Sequence, residues 1–526
     1  MWVEEGEPGR RPQWEPPMAL AARTDRSLKL VSRLFAASLL LALLQAALGA
    51  DISVTLICVV TGIVCLLPVY VYTPSRTVGV LFMMIWYVFS FGELLTKTIL
   101  FQPVDSFLFS PLLTHLIMLV GAVAMSLGAL AAYVITPFRG NALPPQLDPR
   151  KLTALAFVFA GFWLTSFALG FLGANGKALA IFFGGYHIAA FACATSAAII
   201  RSKGAKSVSA LSLGFGMFIC VASLAANSKA GLMAVGFAYF MCVLAFGARL
   251  RWRTMTVVGL ALFLLSVSVY PAIHLVRGHR ERQTALQTVE ETLQTSVALL
   301  VRDPTAVDEV EAMDRQVDML SYNSYRNFYL GRSNIWFDRF IATGYIDAIT
   351  RRVSFDGPFL GMQFVLAQSF DWLPRQFLPD KENATRLSSG DRIMRAFGMS
   401  QAETSSQPTV PMPIETFVSG GFFGIMLEIP VFAIFCLVLN IIVYDLKKNI
   451  WGVYLIIAYS YLTAVASYSL YLFIIARQLP ADALLITIAS VAANSFVGST
   501  SGWSMRAPPA PARPLGPLQP DAGPAE

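Results

Sequence analysis

Stretches of about 20 mostly apolar residues recur along this chain, separated by short polar turns, and each is long enough to cross roughly 30 Å of hydrocarbon. They fall near 28–49, 51–73, 77–101, 110–135, 152–172, 178–200, 207–226, 230–247, 254–275, 416–444, 451–475 and 480–498. In lipid the backbone amides of such spans must be satisfied internally, so the pattern predicts helices. The expected fold is an all-α polytopic membrane bundle of about twelve transmembrane helices.

One charged island, residues 276–412, interrupts the series between helices 9 and 10. It carries its own amphipathic pattern. Gln283–Val301 sets Leu286, Val289, Leu293, Val297 and Leu300 near helical spacing, and Trp336–Ile349 does the same with Phe340, Tyr345 and Ile349. The organisation therefore reads as an N-terminal tail (1–27), helices 1–9 (28–275), the large partly helical loop (276–412), helices 10–12 (413–498) and a Pro-rich tail (499–526). Both tails are rich in Pro, Gly and charge and read as disordered.

Composition agrees with a membrane protein, since 56% of residues are apolar and only 13% are charged. Lys and Arg in short connections favour the cytoplasmic side. With the N-terminus inside, that face collects Arg10, Arg11, Arg23, Arg26, Lys29, Arg76, Arg139, Arg150, Lys151, Arg201, Lys203, Lys206, Arg249, Arg251, Arg253, Lys447, Lys448, Arg506 and Arg513. The short outer turns hold Lys97, Lys177, Lys229 and Arg477. Both termini are thus expected in the cytoplasm and the island outside. The net charge of +7 follows from the inner loops, because the island has 15 basic and 17 acidic residues, so it gives no reason to expect nucleic acid as a partner. No cleavable signal peptide is expected, and Met18 is an alternative start to Met1.

The six cysteines all lie in expected spans, which argues against disulfides and a thiolate metal site. There is no Gly-rich phosphate loop, no His-Glu-x-x-His and no Ser or Cys nucleophile signature, and only four histidines occur. The expectation is no metal and no cofactor, with chemistry resting on carboxylates, arginines and lysines. Glu93 and Lys97 lie one helical turn apart near the outer end of the third span, either as an i,i+4 ion pair or as a supporting pair facing the bundle interior. Lys229 sits at a helix start in the turn NSKAG, and Glu415 stands where the tenth span begins. Glu428, just before Pro430, reads as a structural carboxyl at a kink.

The stretch FDGPFLGMQFVLAQSFDWLPRQFLPDKENA, Phe355 to Ala384, and SSQPTVPMPIETFVSGGFFGIM, Ser405 to Met426, resemble bacterial O-antigen and exopolysaccharide repeat-unit polymerases of the Wzy type. The shared features are Pro374-Arg375, Pro379-Asp380-Lys381, Pro408-Thr409, Glu415 and the Gly420-Gly421-Phe422-Phe423-Gly424 start of a span. NSKAGL, Asn227 to Leu232, resembles the small-residue and basic turn of that family, with Lys229 where arginine is commoner.

The resemblance implies a glycosyltransferase that joins undecaprenyl-diphosphate-linked oligosaccharides at the periplasmic face of a bacterial inner membrane. Its partners would be that lipid-linked glycan, membrane lipid, a chain-length regulator and a flippase. Guanidinium groups bind phosphate bidentately and ammonium groups bind it as point charges, so Lys229, Arg277, Arg280, Arg339, Arg375 and Lys381 are the expected diphosphate and glycan contacts. Glu415 is the first expected proton acceptor, with Asp338 and Asp380 behind it. An O-antigen ligase shares layout and donor, although ligases usually carry histidine in the large outer loop and this island has only His279. A polysaccharide-related transporter and a non-catalytic assembly component share the many-span layout and remain as candidates.

Overall fold

The computed structural model describes residues 17–73, 75–136, 148–170, 183–225, 229–248, 268–276, 284–309, 329, 343–353, 359–368, 370, 389–398, 410–446 and 450–501, with four single positions between 252 and 264. The described residues are helical and contain no strand; a single antiparallel bridge joins Arg76 to Asp445. The first helices are α1 (Pro17–Ala47), α2 (Ile52–Tyr72), α3 (Thr77–Ile99), α4 (Pro111–Ile135), α5 (Pro149–Gly170), α6 (Tyr186–Arg201), α7 (Ala210–Ala225) and α8 (Lys229–Phe246). There follow α9 (Tyr270–Val276), α10 (Ala285–Leu300), α11 (Thr343–Arg351), α12 (Met362–Gln368), α13 (Ser389–Ala396), α14 (Met412–Ile425), α15 (Glu428–Ile442), α16 (Ile450–Val465) and α17 (Tyr468–Val497).

Five helical segments among the described residues are long and apolar enough to cross a membrane: Leu28–Ala47 of α1, then α2, α3, α4 and α17. Their outward faces stay apolar. Leu40 and Leu43 on α1, Ile52 and Leu56 on α2, and Leu484 and Val491 on α17 are all exposed. So many exposed large apolar side chains on these helices call for a lipid solvent or a partner.

The bundle is built around α4, which packs against α2, α14 and α15. Close approach explains why α4 carries glycines on that side. A Cβ at Gly121 would lie 2.3 Å from Pro413 Cγ, and one at Gly128 would lie 2.7 Å from the Ile429 carbonyl oxygen. Helices α5 and α6 pack together and α5 meets α17, while α16 joins α3 to α6. The shared core includes Tyr72, Phe82, Phe159, Tyr186, Phe432, Trp451 and Tyr471.

Local signals set several helix ends. Asp51 accepts the Ser53 and Val54 amides at 2.6 and 3.3 Å and starts α2. Thr284 and Gln287 form a capping box at the start of α10, inside the segment where the apolar spacing predicts a helix. Helix α1 begins at Pro17, earlier than the expected boundary at 28, because residues 18–30 are rich in Ala, Leu, Arg and Lys, all strong helix formers.

Two breaks depart from the hydropathy pattern. The tenth expected span is not straight: α14 and α15 meet at 99°. Within α14 itself the helix is interrupted at Gly420 and Gly421, and Gly421 has φ 62° and ψ −152°, a region essentially confined to glycine. The interruption expected at 476–479 is instead a π turn, Ile474–Gln478, that keeps α17 continuous. The chain breaks earlier, between α16 and α17, where the Ser467 side chain accepts the Leu470 amide at 3.3 Å.

Candidate functional site

Among the described residues, two sets of buried polar side chains include the carboxylates singled out in the sequence. The first forms where α2, α3 and α4 converge. Helix α3 contains a π turn, Tyr87–Phe91, one residue before Gly92 and two before Glu93. The inserted residue shifts the helical phase by about 100°, and Glu93 and Lys97 are both fully buried after it. Gly92 fits this turn because a Cβ would lie 2.7 Å from the Tyr87 carbonyl oxygen.

Glu93 Oε1 accepts the Tyr329 hydroxyl and lies 3.3 Å from His115 Nε2. The other ring nitrogen of His115, Nδ1, is 2.6 Å from the Pro111 carbonyl oxygen, which can only accept, so Nδ1 carries a proton. The Cys58 thiol completes the group, with one ligand-type atom each of Cys58, Glu93 and His115 lying within 4.8 Å of the others. Burial, and then the Glu93 carboxylate, push the Tyr329 phenol well above its usual range, so it remains a donor.

Lys97 is held separately. Its ammonium donates to the Tyr329 carbonyl at 2.5 Å, to Ser106 Oγ at 3.0 Å, and to the Ser106 carbonyl and Gln102 Oε1 at 3.2 Å. It also stands 3.9 Å from the centre of the Tyr329 ring. Glu93 and Lys97 are thus joined through Tyr329, which lies more than 200 residues further along the chain.

A second island residue closes over the same turn. Asp347 on α11 accepts the Phe109 and Ser110 amides at 2.6 and 2.7 Å and the Thr114 hydroxyl at 3.0 Å. Burial pushes its carboxyl up, against the pull of those three donors. The island therefore docks on the connection between α3 and α4. The opposite end of α3 is closed by Arg76, which pairs with Asp445 at 3.0 Å and lies 4.2 Å from the Tyr444 ring centre.

The second set lies at the helix breaks. Glu415, fully buried on α14, accepts the Tyr468 amide at 2.5 Å and so caps the N-terminus of α17. The Met412 amide donates to the Ala466 carbonyl at 2.8 Å, which brings the start of α14 to the end of α16. Glu428 begins α15, its Oε1 accepts the Thr416 hydroxyl at 2.7 Å, and its buried Oε2 has no hydrogen-bond partner. The start of α12 and the residues before it cover this bend: the Leu360 amide donates to the Val418 carbonyl at 2.8 Å, the Phe359 and Phe417 rings meet edge to face at 5.7 Å, and Met362 lies against Gly420.

Of the residues singled out in the sequence, Glu415, Glu93 and Lys97 lie in this interior, in two different groups. Lys229 begins α8, but its side chain lies outside the described residues. Arg277, Arg280, Asp338, Arg339, Arg375, Asp380 and Lys381 also lie outside them, as do the terminal segments 1–16 and 502–526. Sequence reasoning missed His115, Tyr329 and Asp347, which hydropathy does not distinguish. It also missed Asp482 on α17, which accepts the Tyr186 hydroxyl at 2.9 Å and the Tyr459 hydroxyl. A carboxylate inside an apolar span is itself a signal for such a site. Comparison with protein-family models, curated proteins and solved structures finds no match in any of the three.

Proposed function

We propose that this chain is a polysaccharide repeat-unit polymerase that joins undecaprenyl-diphosphate-linked oligosaccharides at the periplasmic face of a bacterial inner membrane. The supporting observation is the meeting of the two segments that resemble Wzy-type polymerases. Described parts of the first, 359–368, lie directly on the described part of the second, 410–426, at a bend that carries two buried carboxylates. Contact between these two segments at a polar break is what a site shared by them requires.

In this reading about twelve spans cross the membrane, both termini are cytoplasmic, and the loop between helices 9 and 10 faces outward. Lys229, Arg277, Arg280, Arg339, Arg375 and Lys381 bind the diphosphate and glycan, stabilising its departure as other cationic sites stabilise phosphate leaving groups. Glu415 takes the acceptor hydroxyl proton after exchanging the Tyr468 amide for that hydroxyl, and Asp338 and Asp380 are the further candidates. The residues invoked require no cofactor.

The test is the glycan ladder of a deletion strain complemented with wild type, Arg375→Ala or Glu415→Ala, with protein levels checked by blot. Single lipid-linked repeat units that accumulate in the deletion and are converted to polymer by wild type alone support the reading. Long polymer left unattached on its carrier in the deletion indicates a ligase instead. One observation favours a transporter as the second reading: a broken helix that bends inside a bundle, as α14 and α15 do at 99°, is the usual construction of transport sites. An unchanged ladder with lost uptake or export of a glycan precursor would select that reading.

A further inference from the structure

We infer that Cys58, Glu93 and His115 form a binding site for a divalent metal ion of the zinc type, holding α2, α3 and α4 together beneath the island. The three donors come from three helices, and their ligand-type atoms all lie within 4.8 Å of one another. A tetrahedral ion with bonds of about 2.0 to 2.3 Å sets its donors about 3.3 to 3.8 Å apart, so the three donors would have to close by at most about 1 to 1.5 Å. All three residues are buried, at 1%, 0% and 2% exposure.

The surroundings are arranged as those of a metal site are. A ligating histidine almost always gives its second ring N–H to a carbonyl or carboxylate, which fixes the tautomer and aims the other nitrogen at the ion. His115 does this, with Nδ1 on the Pro111 carbonyl and Nε2 turned to Glu93. Glu93 Oε1 receives the Tyr329 hydroxyl, while Oε2 is buried without a hydrogen bond of ordinary geometry, the Thr343 hydroxyl being its nearby donor, and is available to coordinate. An orphaned carboxylate oxygen in an apolar bundle is costly unless a cation or donor satisfies it.

Charge and softness identify the ion. A thiolate and a carboxylate carry two negative charges, which one divalent cation balances, so the loaded site is neutral where an unbalanced charge would be expensive. One sulfur, one nitrogen and one oxygen donor match zinc or cobalt, whereas magnesium and calcium take oxygen donors. Three protein ligands leave a fourth position, for which water and the Tyr329 hydroxyl are the available occupants. The plain alternative is an apolar-shielded His115–Glu93 ion pair with Cys58 as packing. This inference is independent of the polymerase reading.

The experiment uses the full chain purified in detergent without chelator, loaded with zinc or, under nitrogen, with cobalt(II). Wild type is expected to hold about one equivalent of zinc by mass spectrometry of the metal, and Cys58→Ala and His115→Ala less than about a tenth of that. Cys65→Ala, buried on the same helix, should retain the full equivalent. The cobalt form should show a near-ultraviolet thiolate-to-cobalt band that Cys58→Ser abolishes. Gel filtration identifies any variant that does not fold. In that case wild type decides alone: a cobalt protein without a thiolate band, or purified wild type holding less than about a tenth of an equivalent of zinc, overturns the inference.

Discussion

Replacing Gly424 by alanine tests whether the bend in α14 is a fixed part of the fold. A Cβ at this position would lie 2.1 Å from the Thr416 carbonyl oxygen and 3.0 Å from its carbon. The obstacle is backbone, so no rotamer change relieves it, and the two limbs of α14 must separate by about 1 Å to restore an ordinary contact. That movement carries Thr416 away from Glu428 and disturbs the Glu415 cap on Tyr468. Overpacking of a close contact costs about 1 to 3 kcal/mol, and a Cβ forced against a fixed backbone carbonyl belongs at about 3. Gly214 on α7 supplies the control. Nothing lies within 4 Å of its Cβ position, so Gly214→Ala should be neutral or should stabilise by up to about 1 kcal/mol through helix propensity. The assay is thermal unfolding in detergent, read with a thiol-reactive dye that reports exposure of the five buried cysteines. Gly424→Ala melting at the wild-type temperature would show that α14 has no such bend.

Four further outcomes follow from the contacts described. Lys97→Met removes the donor that holds the Tyr329 carbonyl, so limited proteolysis should cut the island near 329 faster in this variant, with unchanged cleavage counting against the clip. Asp347→Asn keeps the side-chain shape but turns an NH2 toward one of two backbone amides, which should cost about 1 to 3 kcal/mol and raise hydrogen exchange across 343–351. Glu428→Gln preserves an oxygen for the Thr416 hydroxyl, so its melting should change by less than about 1 kcal/mol, whereas Glu428→Leu should be clearly destabilised. A double-mutant cycle on Arg76 and Asp445, which are 18% and 15% exposed, should return a coupling of about 1 kcal/mol, and a value of zero would remove the pair from the account of that helix end.

How far the sequence could be read depends on what each part of the fold is selected to satisfy. The expected spans at 51–73 and 110–135 coincide with α2 (Ile52–Tyr72) and α4 (Pro111–Ile135) because bilayer thickness fixes their apolar length, and hydropathy measures that length directly. Hydropathy averaged over a span is blind to its internal breaks. The bend at Gly420–Gly421 and the start of α17 at Ser467 leave the apolar content nearly unchanged, and their signals are local ones: paired glycines, a glutamate before proline, a capping serine. The polar clusters were legible only in part. Glu93, Lys97 and Glu415 stand out as charges in apolar surroundings, but His115 and Cys58 become informative only once α2, α3 and α4 are packed, and no spacing rule links positions 58, 93 and 115.

The same packing explains why these charges are tolerated. A charged side chain in an apolar bundle is retained only where partners repay its desolvation, and here those partners come from outside the host helix. Tyr329 serves both Glu93 and Lys97, the start of α17 serves Glu415, and Thr416 across the bend serves Glu428. Helix α4 touches both groups, through His115 at one point and through Gly121 against Pro413 about 9 Å further along its axis. A shift of α4 therefore disturbs the Glu93 cluster and the α14 bend together. An alanine at Gly121, forced against the Pro413 ring, should lower the stability of both, whereas one at Gly161 on α5, with nothing within 4 Å, should affect neither.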